Sequence, residues 1–222
     1  MQKRAERTRQ AILMAAAEMF EAKGYQATSL QDIVTGRDVS KGAVYFHFPS
    51  KQNLAVAILQ EQLGRWPALV DELRQHNQRV IRLLPELLWR AHAIFHDDVL
   101  TRASTRLACE GDLIGASAPH LFCGQADVID ALLQEAREQG DLRPDVDTRI
   151  VAELIVATFA GLQRMAVLHR TGNADVRAHL AEMWRWLLPG LVKAEHMNEV
   201  MRGIDGIGPM PDTGAPRPDL SN

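Results

Sequence analysis

The chain has 222 residues, 46% hydrophobic and 24% charged, an ordinary globular balance with length for one large domain or two modest ones. Its net charge of −3 argues against a protein that coats polyanions indiscriminately, which needs a broad basic surface. Cys109 and Cys123 form neither a CxxC pair nor a zinc-finger spacing, so no disulfide framework is expected.

Ala, Leu, Glu, Gln and Arg dominate long segments, and Val, Ile and Thr rarely alternate with polar residues, so the expected fold is all-α. The N-terminus is basic, but its apolar run, Ala11 to Ala17, ends at Glu18. That run is too short for a membrane span, which leaves a cytoplasmic protein with no membrane partner as the expectation.

A first helix is expected from about Ala5 to Ala22, with Ile12, Ala16, Met19 and Phe20 on one face and Gly24 as its stop. Ser29 and Asp32 resemble a capping box opening a short helix to about Gly36. Ser40 can cap a third helix, Lys41 to His47; Pro49 then breaks the chain and Ser50 caps a long helix from Lys51. Val44 should face the core with Ile33 and Val39, leaving Lys41, Gly42, Tyr45 and His47 outward. Two short helices joined by a tight turn, with an exposed polar face on the second, describe a helix-turn-helix. A small helical subdomain whose Tyr and His merely pack is the alternative. Residues 1–51 carry eight basic against five acidic residues, net +3, while the remainder carries 17 against 23, net −6. A basic module on an acidic body fits contact with a polyanion.

Beyond Leu54 the pattern gives helices over Leu54–Leu73, Val80–Phe95, Leu100–Gly111, Ala126–Gln139, Asp147–His169 and Asp175–Val192, with an irregular stretch from Asp112 to Gly124. The helix from Ile150 to Leu168 is apolar nearly all round and so is buried on several sides. The next places Val176, Leu180, Met183, Leu187 and Leu191 at helical spacing. Together they suggest a homodimer through a two-fold four-helix bundle, or else the core of a monomeric one. The expected organisation is a DNA-binding domain at 1–50, a helical ligand-binding and dimerisation domain at 51–195, and a disordered tail at 196–222, whose last twenty residues hold four Gly and four Pro.

No GxGxxG, P-loop, nucleophile elbow or HExxH occurs, so an enzyme is not expected. His92 and His96 stand at i, i+4 with Asp97 and Asp98 adjacent, but no second helix offers ligands, so neither metal nor cofactor is expected. The two cysteines are read as buried hydrophobes rather than a redox switch.

The segment from Arg7 to Leu54 resembles the DNA-binding domain of TetR-family regulators: Gly-Tyr after the first helix, Thr-Ser before the second, Lys-Gly-x-x-Tyr-x-His-Phe in the third, and Ser-Lys opening the fourth. VYFHFPSKQNLA and Arg65-Trp66-Pro67-Ala68 are similar to the branch that senses γ-butyrolactones or furans. The resemblance implies a dimeric repressor of secondary metabolism, bound to a double-stranded DNA operator and released by a small apolar effector. The alternative is a TetR-type regulator or pseudo-receptor answering an antibiotic or other apolar compound, with a redox- or metal-sensing regulator ranked below it.

Lys41, in the first turn of the recognition helix, suits a phosphate or a guanine edge, and Gly42 permits close approach to bases. Ser40 and Ala43 lie on the same turn. Tyr45, His47, Lys51, Thr28 and Ser29 would bind phosphate oxygens, and Arg4 and Arg7 the backbone or a minor groove. Phe46 and Phe48 are expected to pack. A departure from the family is Gly36-Arg37-Asp38-Val39 in the turn. Candidate ligand contacts are Trp89, Phe95, Leu107, Phe122, Gln125, Ile129, Phe159 and Gln163. Butyrolactone receptors usually carry a Trp where Gln125 stands, which points away from a plain lactone.

Overall fold

The computed structural model describes residues 2–35, 40–75, 79–115, 118–169 and 173–205. They form helices α1 (Gln2–Lys23), α2 (Leu30–Thr35), α3 (Lys41–His47), α4 (Lys51–Arg74), α5 (Val80–Asp97), α6 (Val99–Cys109), α7 (Gly111–Ile114), α8 (Leu121–Glu138), α9 (Thr148–His169), α10 (Asn173–Leu191) and α11 (Ala194–Asp205). The expected all-α class holds.

Local chemistry sets the N-terminal helices. Gly24 adopts φ +81°, a conformation that costs other residues more, and its N–H closes α1 on the Phe20 carbonyl at 2.8 Å. Ser29 and Asp32 cap α2 reciprocally: the Ser29 hydroxyl accepts from the Asp32 N–H at 3.2 Å, and the Asp32 carboxylate accepts from the Ser29 N–H at 2.8 Å. Ser40 accepts from the Ala43 N–H at 3.2 Å and Ser50 from the Asn53 N–H at 3.1 Å, opening α3 and α4. The turn at 36–39, including Arg37, Asp38 and Val39, lies outside the described residues.

Two apolar cores result, and α4 runs through both. Its first half gives Leu54, Ala55, Ile58 and Leu59 to a core shared with Ile12, Phe20, Ile33, Val44 and Phe48, and also with Leu100, Ala103 and Leu107 of α6. Its second half gives Trp66, Leu69, Val70 and Leu73 to the core of the body. Residue 50 is therefore a boundary in sequence but not in packing, since α6 of the body completes the core of the head.

Four readings of the sequence need correction. Cys109 and Cys123, read as buried, are both exposed. The stretch expected to be irregular contains α7 and the first turn of α8. Gly124 lies inside α8 because α8 crosses α4 there: a Cβ on it would sit 2.5 Å from Leu63 Cδ2. The expected tail begins too early. Residues 194–205 form α11, whose Met197, Val200 and Met201 recur at helical spacing and pack on the body core. Residues 206–222 lie outside the described residues. Finally, Val176, Leu180 and Leu191 are buried in the chain's own core, and Met183 and Leu187 are half-buried at its edge. Among the described residues of α9 and α10, the large apolar side chains more than half exposed are others: Ile150, Leu154 and Met165 of α9 and Trp186 of α10.

Candidate DNA-reading face and ligand cavity

Helix α3 is too short to persist alone, so it is held by its two caps and by Val44 and Phe48, both buried in the head core. Anchoring that side turns the opposite one to solvent. Lys41, Gly42, Tyr45 and Phe46 are exposed, and Ala43 and His47 are half-buried beside them. A Cβ built on Gly42 meets nothing within 4 Å, so the space in front of it is open to an approaching surface. Arg4 and Arg7 are exposed on α1, and Ser29 and Ser40 are exposed at helix starts.

Three expected roles change. Phe46 does not pack: it is 81% exposed, its ring edge-on to His47 at 5.2 Å. Its neighbour Phe48 is the packing residue, with the Arg9 guanidinium 5.5 Å over its ring. Thr28 is buried, and its hydroxyl donates to the Gly24 carbonyl at 2.7 Å, so it shapes the α1–α2 turn instead of meeting a phosphate. The Lys51 ammonium donates to the Tyr25 carbonyl at 2.9 Å and sits 4.3 Å over the Tyr25 ring, so it ties α4 to the same turn.

In the body, α4, α5, α6, α8 and α9 surround a narrow cavity of about 30 Å³. That is room for about two waters, so any larger ligand has to part the walls. Of the eight expected residues, Phe122, Gln125, Phe159 and Gln163 line it. Ile129 is in the body core, Leu107 is in the head core, Trp89 stacks beneath Arg177 at 5.1 Å, and the side chain of Phe95 lies outside the described residues. Sequence reasoning missed Gln62, Arg65, Trp66, Leu69, Ala91, Ile94, Thr101, Thr105 and Ala160. The family-like Arg65-Trp66 pair was the one pointer to α4 as a wall.

The cavity lining has an apolar and a polar part. Trp66 meets Phe159 edge-to-face at 6.3 Å. Most of the polar groups are already paired: Arg65 binds Asp98 and donates to the Thr101 hydroxyl at 3.2 Å, the Thr101 hydroxyl donates to Asp98 at 2.7 Å and lies 3.2 Å from the Gln62 amide oxygen, and His92 Nδ1 lies 3.0 Å from the Gln163 amide oxygen. His96, one turn from His92, is exposed against Asp97, so the two histidines sit in different environments.

Asp98 is the N-cap of α6, accepting from the Leu100 and Thr101 N–H groups at 3.3 Å. Burial raises its carboxyl, but hydrogen bonds from Thr101 and Arg65 outweigh that and hold its pKa below the usual carboxylate value. A depressed folded-state pKa means the stabilisation is complete at neutral pH and is lost as pH falls through the folded value. Asp98→Ala is expected to cost about 1–2 kcal/mol at neutral pH. The melting-temperature gap to the wild type should narrow as the pH is lowered below the ordinary carboxylate range.

Residues 12–58 match the family described as bacterial regulatory proteins, tetR family, and residues 88–193 match the tetracyclin repressor-like C-terminal domain. The chain is 35% identical over 190 residues to the A-factor receptor protein of Streptomyces griseus, covering 86% of this chain and 66% of that protein. It superposes on a gamma-butyrolactone receptor (ArpA-like protein) with TM-score 0.77 and 30% identity, covering 91% of this chain and 96% of that one. On CprB of Streptomyces coelicolor, solved with its biological operator sequence, the TM-score is 0.75 at 31% identity, with 91% and 97% covered. The exposed face of α3, the cavity in the body and these matches agree: the chain belongs to the TetR family of bacterial regulatory proteins.

Proposed function

We propose that the chain is a cytoplasmic, ligand-responsive transcriptional repressor that binds a pseudo-palindromic operator as a homodimer and is released by a small molecule. The observation that carries it is the outward face of α3, where Lys41, Gly42, Tyr45 and Phe46 stand free of the core on a helix of groove-fitting size. The relatives' names support a γ-butyrolactone-like ligand and a role in antibiotic production. Gln125 in the cavity wall supports a second reading, an effector with more polar oxygens than a simple alkyl lactone.

Lys41 and Gly42 are assigned to the groove, Tyr45 and His47 to phosphates, and Phe46 to apolar contact with sugar or a thymine methyl. Ile150, Leu154, Met165 and Trp186 are assigned to the dimer interface in place of Val176, Leu180 and Leu191, with Met183 and Leu187 at its margin. Titration against the chain's own promoter and a scrambled duplex over a salt range tests the regulator reading. A specificity ratio near unity removes it.

The assignment of roles on α3 has its own test. Tyr45→Phe and His47→Ala should weaken binding to every duplex by a similar factor, because phosphates carry no base identity. Lys41→Ala and Phe46→Ala should also change the preferred sequence, each by about 1–3 kcal/mol at one base pair. A Tyr45→Phe variant that shifts the preferred operator with no general loss would reverse these roles.

A further inference from the structure

The cavity and the reading head meet on one short helix. On α6, Thr101 and Thr105 line the cavity, and the residues next to them, Arg102 and Arg106, reach the end of α1. Arg102 forks onto the Glu21 carboxylate at 2.5 and 3.3 Å, and Arg106 donates to the Glu21 carbonyl at 2.6 Å. Just past the helix, Glu110 takes the Tyr25 N–H at 2.6 Å on one oxygen and pairs with Arg106 at 3.2 Å through the other. The Tyr25 carbonyl in turn holds Lys51 at the start of α4. Gly24 shows how close this fit is, because a Cβ there would sit 2.6 Å from Glu110 Oε1 and 2.8 Å from Arg106 Nη2.

We propose that Glu110 is the positioning residue that couples the cavity to the DNA-reading head, by holding the Gly24–Tyr25 turn to the C-terminal end of α6. This rests on the cavity being the effector site. A helix of 11 residues moves as a unit, so pushing Thr101 and Thr105 outward displaces Arg102, Arg106 and Glu110 with them. Because the cavity holds about two waters, a larger effector displaces its walls, and α6 is one of them. The turn then follows α6 through the Tyr25 amide, and it carries both the end of α1 and, through Lys51, the first turn of α4. The charge-assisted bond at 2.6 Å is the short, strong kind suited to transmitting such a shift. Thr28, whose hydroxyl donates to the Gly24 carbonyl, keeps the turn rigid enough to pass it to α2.

A cavity-filling substitution can stand in for the effector, so the test needs no identified ligand. Operator Kd is measured by fluorescence anisotropy for the full chain, Ala160→Phe, Glu110→Ala and the double variant, with amide exchange of the segment holding Tyr25 read alongside. Ala91→Phe serves as a second filling variant should Ala160→Phe fail to fold. The filled cavity is expected to weaken operator binding about tenfold or more and to speed exchange at Tyr25. In the Glu110→Ala background the same filling should change Kd several-fold less than in the wild type, with Arg102 and Arg106 still holding Glu21. Glu110→Gln keeps an acceptor for Tyr25 and should restore most of the coupling. Equal losses on filling in both backgrounds, or a loss of affinity with Tyr25 exchange unchanged, would overturn the role of Glu110. A filled cavity that alters neither Kd nor exchange in the otherwise wild-type chain would overturn the effector-site reading, and this proposal with it.

Discussion

Leu154→Glu is expected to convert the dimer to folded monomers and to lower operator affinity by about a hundredfold or more. Leu154 is 57% exposed in the single chain, on a face of α9 shared with Ile150, Gly161 and Met165 at helical spacing. A carboxylate there costs the isolated chain little, because it is solvated. In the dimer it would be buried opposite its own two-fold copy without a partner, a penalty of several kcal/mol. One recognition helix contacts too little of the duplex to hold a site. Tight binding requires two, spaced about 34 Å along one face, and linking them gains roughly 10²–10⁴ in affinity. Leu180→Glu makes the contrast, since Leu180 is 4% exposed inside its own chain and the substitution should unfold the body instead of cleanly splitting the dimer. Sedimentation and circular dichroism separate the two outcomes. A Leu154→Glu protein that sediments as a dimer would move the interface elsewhere, and a monomer that still binds its operator tightly would remove the need for one.

That contrast marks where sequence reading stopped. Val176, Leu180 and Leu191 recur at helical spacing as any buried stripe does, and periodicity does not distinguish a stripe facing the chain's own core from one facing a second copy. Which stripe is which depends on how α9 and α10 rotate against α5 and α8, a matter of tertiary packing. The head was far more legible because its boundaries are set locally. Ser40, Ser50 and Gly24 act on their immediate neighbours, and α3 came out at Lys41–His47 as read. Phe46 failed for the opposite reason: an aromatic beside a buried Val44 and Phe48 reads as core, and only the rotation of α3 turns it outward. Glu110 and Arg106 left no trace in the sequence, since their partners lie some eighty-five residues away on α1 and at Tyr25. Four cavity residues were found as apolar or amide side chains on buried faces. Gln62 and Thr101 were missed because nothing local explains their burial, which follows from the cavity they share.

The other large effect concerns induction. A γ-butyrolactone or furan bearing an alkyl tail is expected to lower operator affinity about 30- to 150-fold, which corresponds to a coupling of about 2–3 kcal/mol. The effector acts only through its preference for one of two arrangements, and the narrow cavity seen here, with space for about two waters, suits a larger molecule poorly. The tail would replace the contact between Trp66 and Phe159, and the oxygens would meet the Gln125 amide and exchange hydrogen bonds with Gln163 and Thr101, whose present partners are His92 and Gln62. Arg65 is already neutralised by Asp98, so a neutral head group suits the site better than a carboxylate. Gln125→Leu keeps the size of the side chain but removes its amide, leaving an effector oxygen unpaired in a closed site. That should weaken the response to an oxygen-rich effector by about 1–3 kcal/mol, or roughly five- to 150-fold in the concentration needed for release. The response to a simple alkyl lactone should change much less. Anisotropy titrations of the operator complex with both classes of compound read this directly. Equal weakening toward both would take Gln125 out of ligand selection. If no lactone, furan or antibiotic releases the operator, and Phe159→Ala changes nothing, the cavity is not the effector site.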